Sequence, residues 1–219
     1  MSCRARMMSL RNKRVLITAG PTWVPIDDVR VISNVASGET GIILANEAKK
    51  CGAKVTLVLG PVDAYLGKST IRIERFKFFQ ELKDKLTKLL RTQKYDILIH
   101  SAAVADYQLK KVTKGKISSN KKELTLKLIP TQKLIGLFKK IDSSLFVVAF
   151  KFEIASSKGR LIRNALSLLR PGAANLVVAN TVYNKHYCGY IVNKDSVLGP
   201  FLSKKILARK LLKILGECQ

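Results

Sequence analysis

Hydrophobic and polar positions change period along the chain in a way that predicts alternating strands and helices. Val15-Leu16-Ile17, continued through Thr18-Ala19, is apolar for the length of a buried strand and ends at Gly20. Helical spacing follows a Ser37-Gly38 turn and predicts a helix from about Gly38 to Cys51, stopped by Gly52. Lys54-Val-Thr-Leu-Val-Leu59 is a second buried-strand pattern that closes a βαβ unit at Gly60-Pro61. A short strand near Ile71–Arg75 precedes a helix over about Phe78–Gln93, where Leu82, Leu86, Leu89 and Leu90 recur at helical spacing and read as core. Tyr95–His100, Leu145–Phe150 and Asn175–Asn180 complete the central strands. Further helices are expected from Pro130-Thr131 to about Lys140, and from near Ser157 to Leu169, ended by Arg170-Pro171-Gly172. The tail from Ser203 to Leu215 is amphipathic, with Ile206, Leu207, Leu211 and Leu215 expected on one side. This alternation predicts a single α/β domain over residues 1–219, with three layers around a Rossmann-like, mostly parallel sheet.

Two stretches break the pattern. Gln108–Ser119 is basic and non-periodic, and reads as a mobile loop carrying Lys114 and Lys116, of the kind that closes over phosphates. Glu123–Leu128 alternates apolar and polar residues, the signature of a half-exposed antiparallel strand that does not belong in a covered parallel sheet. Residues 108–130 are therefore expected to form a loop plus a projecting antiparallel arm, with its apolar face as a homodimer contact. Residues 1–13 are expected to be flexible.

Composition narrows the class. No apolar run reaches the roughly 18 residues of a membrane span, and the basic N-terminus lacks the apolar segment of a secretory signal. A soluble, cytoplasmic protein with no membrane partner is expected. Cys3, Cys51, Cys188 and Cys218 show no paired spacing, which suits reduced thiols, and with only His100 and His186 beside them no metal site is expected. The formal charge of +25 creates a field that attracts anions. It fits a lysine-rich solvated surface or a nucleic-acid footprint; no zinc-finger, aromatic RNA-binding or helix-turn-helix motif accompanies it, so no specific nucleic-acid partner is expected.

Candidate chemistry gathers at two strand ends. Gly20 lets a ligand approach the first turn closely, and Ala36-Ser37-Gly38 places backbone amides and a hydroxyl at a helix N-terminus, where phosphate is favoured. Ser101-Ala-Ala-Val-Ala-Asp106-Tyr107 should face that turn across a shared crevice. His100 reads as structural, because nothing near it in sequence forms a nucleophile–base pair. The glycine fingerprint and ribose acid of NAD sites, the Gly-Lys-Ser/Thr of phosphate loops and the Gly-x-Ser-x-Gly elbow are all missing. Arg30, Asn34, Ser37, Asp106 and Lys116 remain, a set without an obvious nucleophile that suits positioning and charge stabilisation, as in nucleotidyl or phosphoryl transfer.

In this order, ITAGPTWVPIDDVRVISNVASGETG, SAAVADY, GKISSNKKELTLKLIPTQKLI, FKFE and NLVVAN resemble the phosphopantothenate-cysteine ligase family over nearly the whole chain, in its stand-alone form. The resemblance implies an enzyme of coenzyme A biosynthesis that ligates 4'-phosphopantothenate to L-cysteine through an acyl-nucleotidylate. CTP would be the co-substrate, Mg2+ would accompany the triphosphate, and ATP is the alternative nucleotide. It implies catalytic roles for Asn34, which would hold the intermediate, for Lys116 on the triphosphate, and for Arg30 as a phosphate or carboxylate clamp. It further implies nucleotide binding by Gly20, Ser37, Gly38, Ala103, Val104, Asp106 and Lys116. Ala36-Ser37-Gly38-Glu39 departs from the Ser-Ser-Gly-Lys of many members, losing a hydroxyl and reversing a charge. FKFE looks more like stand-alone bacterial and eukaryotic members, the latter using ATP. A basic nucleic-acid-binding protein on a Rossmann-like fold is the alternative from another class.

Overall fold

The computed structural model describes residues 10–63, 70–154 and 157–217. In chain order the strands are β1 Arg14–Ala19, β2 Trp23–Pro25, β3 Val31–Ser33, β4 Lys54–Leu59, β5 Arg72–Arg75, β6 Ile97–His100, β7 Tyr107–Leu109, β8 Leu128–Pro130, β9 Phe146–Ile154, β10 Leu176–Tyr183, β11 His186–Val192 and β12 Val197–Phe201. The helices are α1 Glu39–Lys50, α2 Phe79–Thr92, α3 Ile135–Ile141, α4 Lys158–Leu166 and α5 Lys204–Glu217. Eight strands form one sheet in the order β12-β11-β10-β9-β6-β1-β4-β5. From β5 to β10 every neighbouring pair is parallel, while β11 and β12 add antiparallel strands at one edge. This is the expected Rossmann-like sheet.

Period-2 alternation explains why one sheet carries two cores. Val15, Ile17, Ala19, Ile97, Ile99 and Val178 face α1 and α5, whereas Leu16, Leu98, Val147 and Val177 face α2, α3 and α4. Strands buried on both faces read as continuous apolar runs, and these were the strands visible in the sequence. On α5 the buried stripe is Leu207, Ala208, Leu211, Leu212 and Leu215; Ile206, expected on the buried side, is exposed. The helix is turned slightly further onto α1 than the leucine spacing suggested. There Glu47 of α1, itself buried, accepts from Arg209 of α5 at 2.8 Å and from Lys50 at 2.9 Å. Burial pushes its carboxyl up, but the two cations outweigh that and hold it below its ordinary value.

Chain direction reverses between β1 and β6: the chain runs outward from β1 through β4 to β5, then returns to β6 and proceeds through β9 to β10. Such a switch point opens a crevice at the carboxyl ends of the strands. Close backbone approach builds its wall. A Cβ on Gly41 of α1 would lie 2.4 Å from Ala19 Cβ and 2.8 Å from Ser101 Oγ. Gly41→Ala is expected to lift α1 from β1 at a cost of about 1–3 kcal/mol. Thermal unfolding checks this, and an unchanged midpoint would show that the helix can slide without loss.

Four differences from the sequence reading have physical causes. Glu123–Leu128 is not the expected strand; only its last residue enters β8, which pairs with β7 through Tyr107–Pro130, Gln108–Ile129 and Leu109–Leu128. Alternation needs a partner strand in reach, and the segment beyond Leu109 is lysine-rich and holds no strand. The antiparallel arm is therefore a shorter hairpin. β2 and β3 form a second small hairpin between the Gly20 turn and the Ser37-Gly38 turn, where no strand was expected. β11 and β12 add strands where none was expected, β11 buried along its last four residues and β12 exposed at the sheet edge, so neither alternates. Of the segment expected to be flexible, Leu10 is buried and its amide donates to the Cys51 carbonyl at 3.1 Å; residues 1–9, with Cys3, lie outside the described residues, as does Cys218. No helix among the described residues is long and apolar enough to cross a membrane.

Candidate functional site

Three turns meet at the switch point. Gly20 follows β1 with φ +81°, Gly38 caps α1 with φ +70°, and Gly60 follows β4. A Cβ at Gly38 would sit 3.3 Å from the Gly20 amide nitrogen, and one at Gly20 would sit 3.2 Å from that of Gly60. The turns touch backbone to backbone, and a side chain at Gly20 or Gly38 would be both crowded and strained. Gly38 has no side-chain cap, while the Ser37 hydroxyl accepts the Glu39 amide at 3.3 Å. The charge-reversed Glu39 is tied by an ion pair to Lys204 on α5 and turned toward that helix.

The opposite wall is the segment after β6. It is stitched to the first turn by Ala103 N–H donating to Gly20 O at 2.9 Å and Thr22 N–H donating to Ala103 O at 3.2 Å. Ala102 N–H donates to Thr18 Oγ1 at 3.1 Å, and Ala105 N–H to Thr22 Oγ1 at 2.9 Å. Across the crevice Asn34 Nδ2 donates to Ala103 O at 3.1 Å, which brings together two predicted site residues about 70 positions apart. Asp106 pairs with Lys133 and is largely exposed, and its carbonyl accepts Thr131 N–H at 2.9 Å.

Arg30 and Lys116 are brought together by a residue the sequence reading passed over. Asp27, 4% exposed, accepts Val29 N–H at 2.9 Å and Arg30 N–H at 2.7 Å on Oδ1, and Ile117 N–H at 3.0 Å on Oδ2. Arg30 Nη1 lies 3.4 Å from the same carboxylate and Nη2 donates to Ile117 O at 3.2 Å. Asp28 Oδ2 accepts Gly115 N–H at 2.8 Å, so both aspartates clasp the loop around Lys116. The loop expected to be mobile is thus docked on the β2–β3 turn, with the Lys116 side chain exposed. Bonds from the Ile117 and Val29 amides hold the Asp27 carboxyl below its ordinary value; burial opposes them, and the Arg30 amide and guanidinium add to the lowering. The visible signal was the Asp27-Asp28 pair immediately before Val29-Arg30.

A pocket of about 180 Å3 is lined by Val104 and Asp106 from the crest, Thr131 and Leu134 from the approach to α3, and His100 and Phe150 from β6 and β9. Of these only Val104 and Asp106 were expected at a ligand site. Thr131 is anchored from below by its hydroxyl, which donates to Ala105 O at 2.6 Å. Among the described residues no group of three or more His, Cys, Asp or Glu side chains could hold a metal ion.

Over residues 10–217 the chain matches the DNA/pantothenate metabolism flavoprotein C-terminal domain family. It belongs to that family. It is 37% identical over 176 residues to the coenzyme A biosynthesis bifunctional protein CoaBC of Thermococcus kodakarensis, covering 80% of this chain and 42% of that protein. To the protein of the same name from Borreliella burgdorferi it is 33% identical over 216 residues, covering 94% and 53%. The chain thus spans about half the length of the curated relatives it matches. Among solved structures, the C-terminal domain of a coenzyme A biosynthesis bifunctional protein CoaBC superposes with TM-score 0.78 at 28% identity, over 96% of this chain and 97% of that one. The DNA/pantothenate metabolism flavoprotein of Streptococcus pneumoniae shares the fold with TM-score 0.85 at 23% identity, over 94% and 100% of the two chains.

Proposed function

We propose that this domain ligates 4'-phosphopantothenate to L-cysteine through an acyl-nucleotidylate, with CTP as the nucleotide. The observation that carries the reading is the bond from Asn34 to Ala103 across the crevice, with the Lys116 loop clasped to the same hairpin by Asp27. Family membership and relatives named for coenzyme A biosynthesis support it.

In the first step a carboxylate oxygen of phosphopantothenate attacks the α-phosphorus of CTP and pyrophosphate leaves. In the second the cysteine amine attacks the acyl carbon, CMP leaves with the bonding pair, and the ammonium loses a proton to form the amide. Neither step needs a protein nucleophile, consistent with a cleft that offers donors and cations instead. Lys116 and Arg30 would meet the charge on the triphosphate, and the backbone at Gly20, Ser37 and Gly38 would receive phosphate oxygens. Ala103 and Val104 would border the nucleotide base in the pocket beside the crest, Asp106 would stand near the nucleotide and its cation, and Asn34 would hold the activated acyl group. Mg2+ would arrive with the triphosphate and offset its charge. The donor set fits an ion shared with the nucleotide, since Asp106 offers one exposed carboxylate, here paired with Lys133.

A homodimer through the two small hairpins is part of this proposal, supported by the exposed Val29, Ile32, Val35, Tyr107 and Leu128. A reducing, cytoplasmic setting suits four cysteines without paired spacing.

Pyrophosphate release measured with CTP and with ATP, with and without phosphopantothenate and cysteine, tests the reading. Release that requires phosphopantothenate but not cysteine is expected, with CTP the better nucleotide. No release with any nucleotide would sink the ligase; better release with ATP would replace CTP.

A further inference from the structure

His100 ends β6 and stands in register with Thr18 of β1. Its Nδ1 lies 2.9 Å from Thr18 Oγ1, and that oxygen already accepts the Ala102 amide at 3.1 Å. A threonine hydroxyl has one proton to donate. Among the described residues Nδ1 is the only acceptor bonded to it, so Nδ1 receives that proton and the neutral ring carries its own on Nε2. Phe138 meets the imidazole edge-on, with ring centroids 5.0 Å apart and planes at 69°, which fixes the orientation. Burial pushes the imidazole pKa down to about 4, so the ring is uncharged at neutral pH.

Nε2 makes no hydrogen bond among the described residues, yet the ring lines the pocket with Val104, Asp106 and Phe150. Sealed side-chain polar atoms without a partner are, among those residues, Asn180 Oδ1, Thr181 Oγ1 and the Tyr187 hydroxyl. His100 Nε2 is not one of them, and the ring that carries it lines the pocket.

We propose that His100 is a specificity-determining residue of this pocket, presenting Nε2–H as a fixed donor to the unprotonated ring nitrogen beside the exocyclic amine on the Watson–Crick edge of the nucleotide's base. The inference rests on the nucleotide-dependent reading above and extends it to base selection. A histidine free to change tautomer would accept either a donor or an acceptor. Here the change would set an Nδ1 proton against the Thr18 hydroxyl and strand that hydroxyl's own proton, so the selection is one-sided. Cytosine N3 and adenine N1 are acceptors beside an exocyclic amine, whereas uracil N3 and guanine N1 carry protons. CTP and ATP are therefore favoured over UTP and GTP.

Two measurements test this. His100→Leu is expected to raise the KM for the preferred nucleotide about tenfold, with kcat nearly unchanged, and to compress the preference over UTP and GTP. His100→Gln, which keeps a donor, should recover part of both. The chain has only two histidines, so long-range proton–nitrogen spectra of the 15N-histidine-labelled wild type report the tautomer directly. An Nε2–H ring whose Nε2 resonance moves on addition of CMP or AMP is expected. An Nδ1–H ring, no movement with saturating CMP and AMP, or an unchanged KM and preference in His100→Leu overturns the proposal. The spectra need binding and no turnover. Failure of pyrophosphate release with a normal spectral response would thus count against the ligase and not against His100.

Discussion

Asp27→Ala is expected to lower amide formation by about 100-fold while the central sheet stays folded. The carboxylate reaches no reacting group; it holds Arg30 and the loop bearing Lys116 in one unit through the Val29, Arg30 and Ile117 amides and the Arg30 guanidinium. Removing it leaves those amides without their acceptor and frees the loop, and a displacement of a cationic loop by an ångström is enough to misplace it from a developing charge. Turnover and amide exchange at Ile117 are the paired readouts. Loss of turnover with faster Ile117 exchange and retained sheet structure is expected; normal turnover with fast exchange would show that docking does not matter.

The same carboxylate sets a pH dependence of known sign. Its folded pKa lies below the ordinary value of 3.8, with the Ile117 amide as the largest cause. Its contribution is therefore complete above the unfolded value and is lost as pH falls through the lowered folded value. Protection of the Ile117 amide, corrected for intrinsic exchange, is expected to hold down to about pH 4 and to fall only below it. Protection that already declines between pH 7 and 5 would mean another group controls the loop.

Asn34→Ala is the second large effect, expected to lower the cysteine-dependent step by about 100- to 1,000-fold, the scale for removing a donor aimed at a developing oxyanion. In this structure the Asn34 amide is held toward the crevice by Ala103 O. That bond uses one of the two Nδ2 protons, and under the proposed function the other is left to donate to the activated acyl group. Pyrophosphate release in the absence of cysteine should suffer less than amide formation. Equal losses in both half-reactions would make Asn34 a general binding residue, and no loss in either would remove it from the site.

Much of this architecture was readable in advance where burial is two-sided. Val15–Ala19, Lys54–Leu59, Tyr95–His100 and Asn175–Asn180 are apolar on both faces because helices cover both, so their runs survive in the sequence without knowledge of neighbours. Trp23–Pro25 and Val31–Ser33 were hidden because a hairpin of three-residue strands leaves no period to detect. Glu123–Leu128 misled for the opposite reason, since its alternation is present but no strand stands opposite it before Leu128. At the site, Gly20, Asn34, Ala103 and Asp106 were legible from turns and motif order. Asp27 was not, because its contribution is made through backbone amides of residues up to 90 positions away.

The chain by itself determined that there would be a parallel α/β sheet and that its crevice would open beside Gly20 and the Ser101–Asp106 crest. Local periodicity and turn chemistry carry that information, and both are properties of short segments. Tertiary structure alone decided that the Lys116 loop is clasped rather than free, that Glu39 is turned to Lys204, and that His100 is held as a donor toward a pocket. Each of these depends on a hydrogen bond or ion pair between side chains and backbone far apart in sequence, whose direction is set only once the strands are in register.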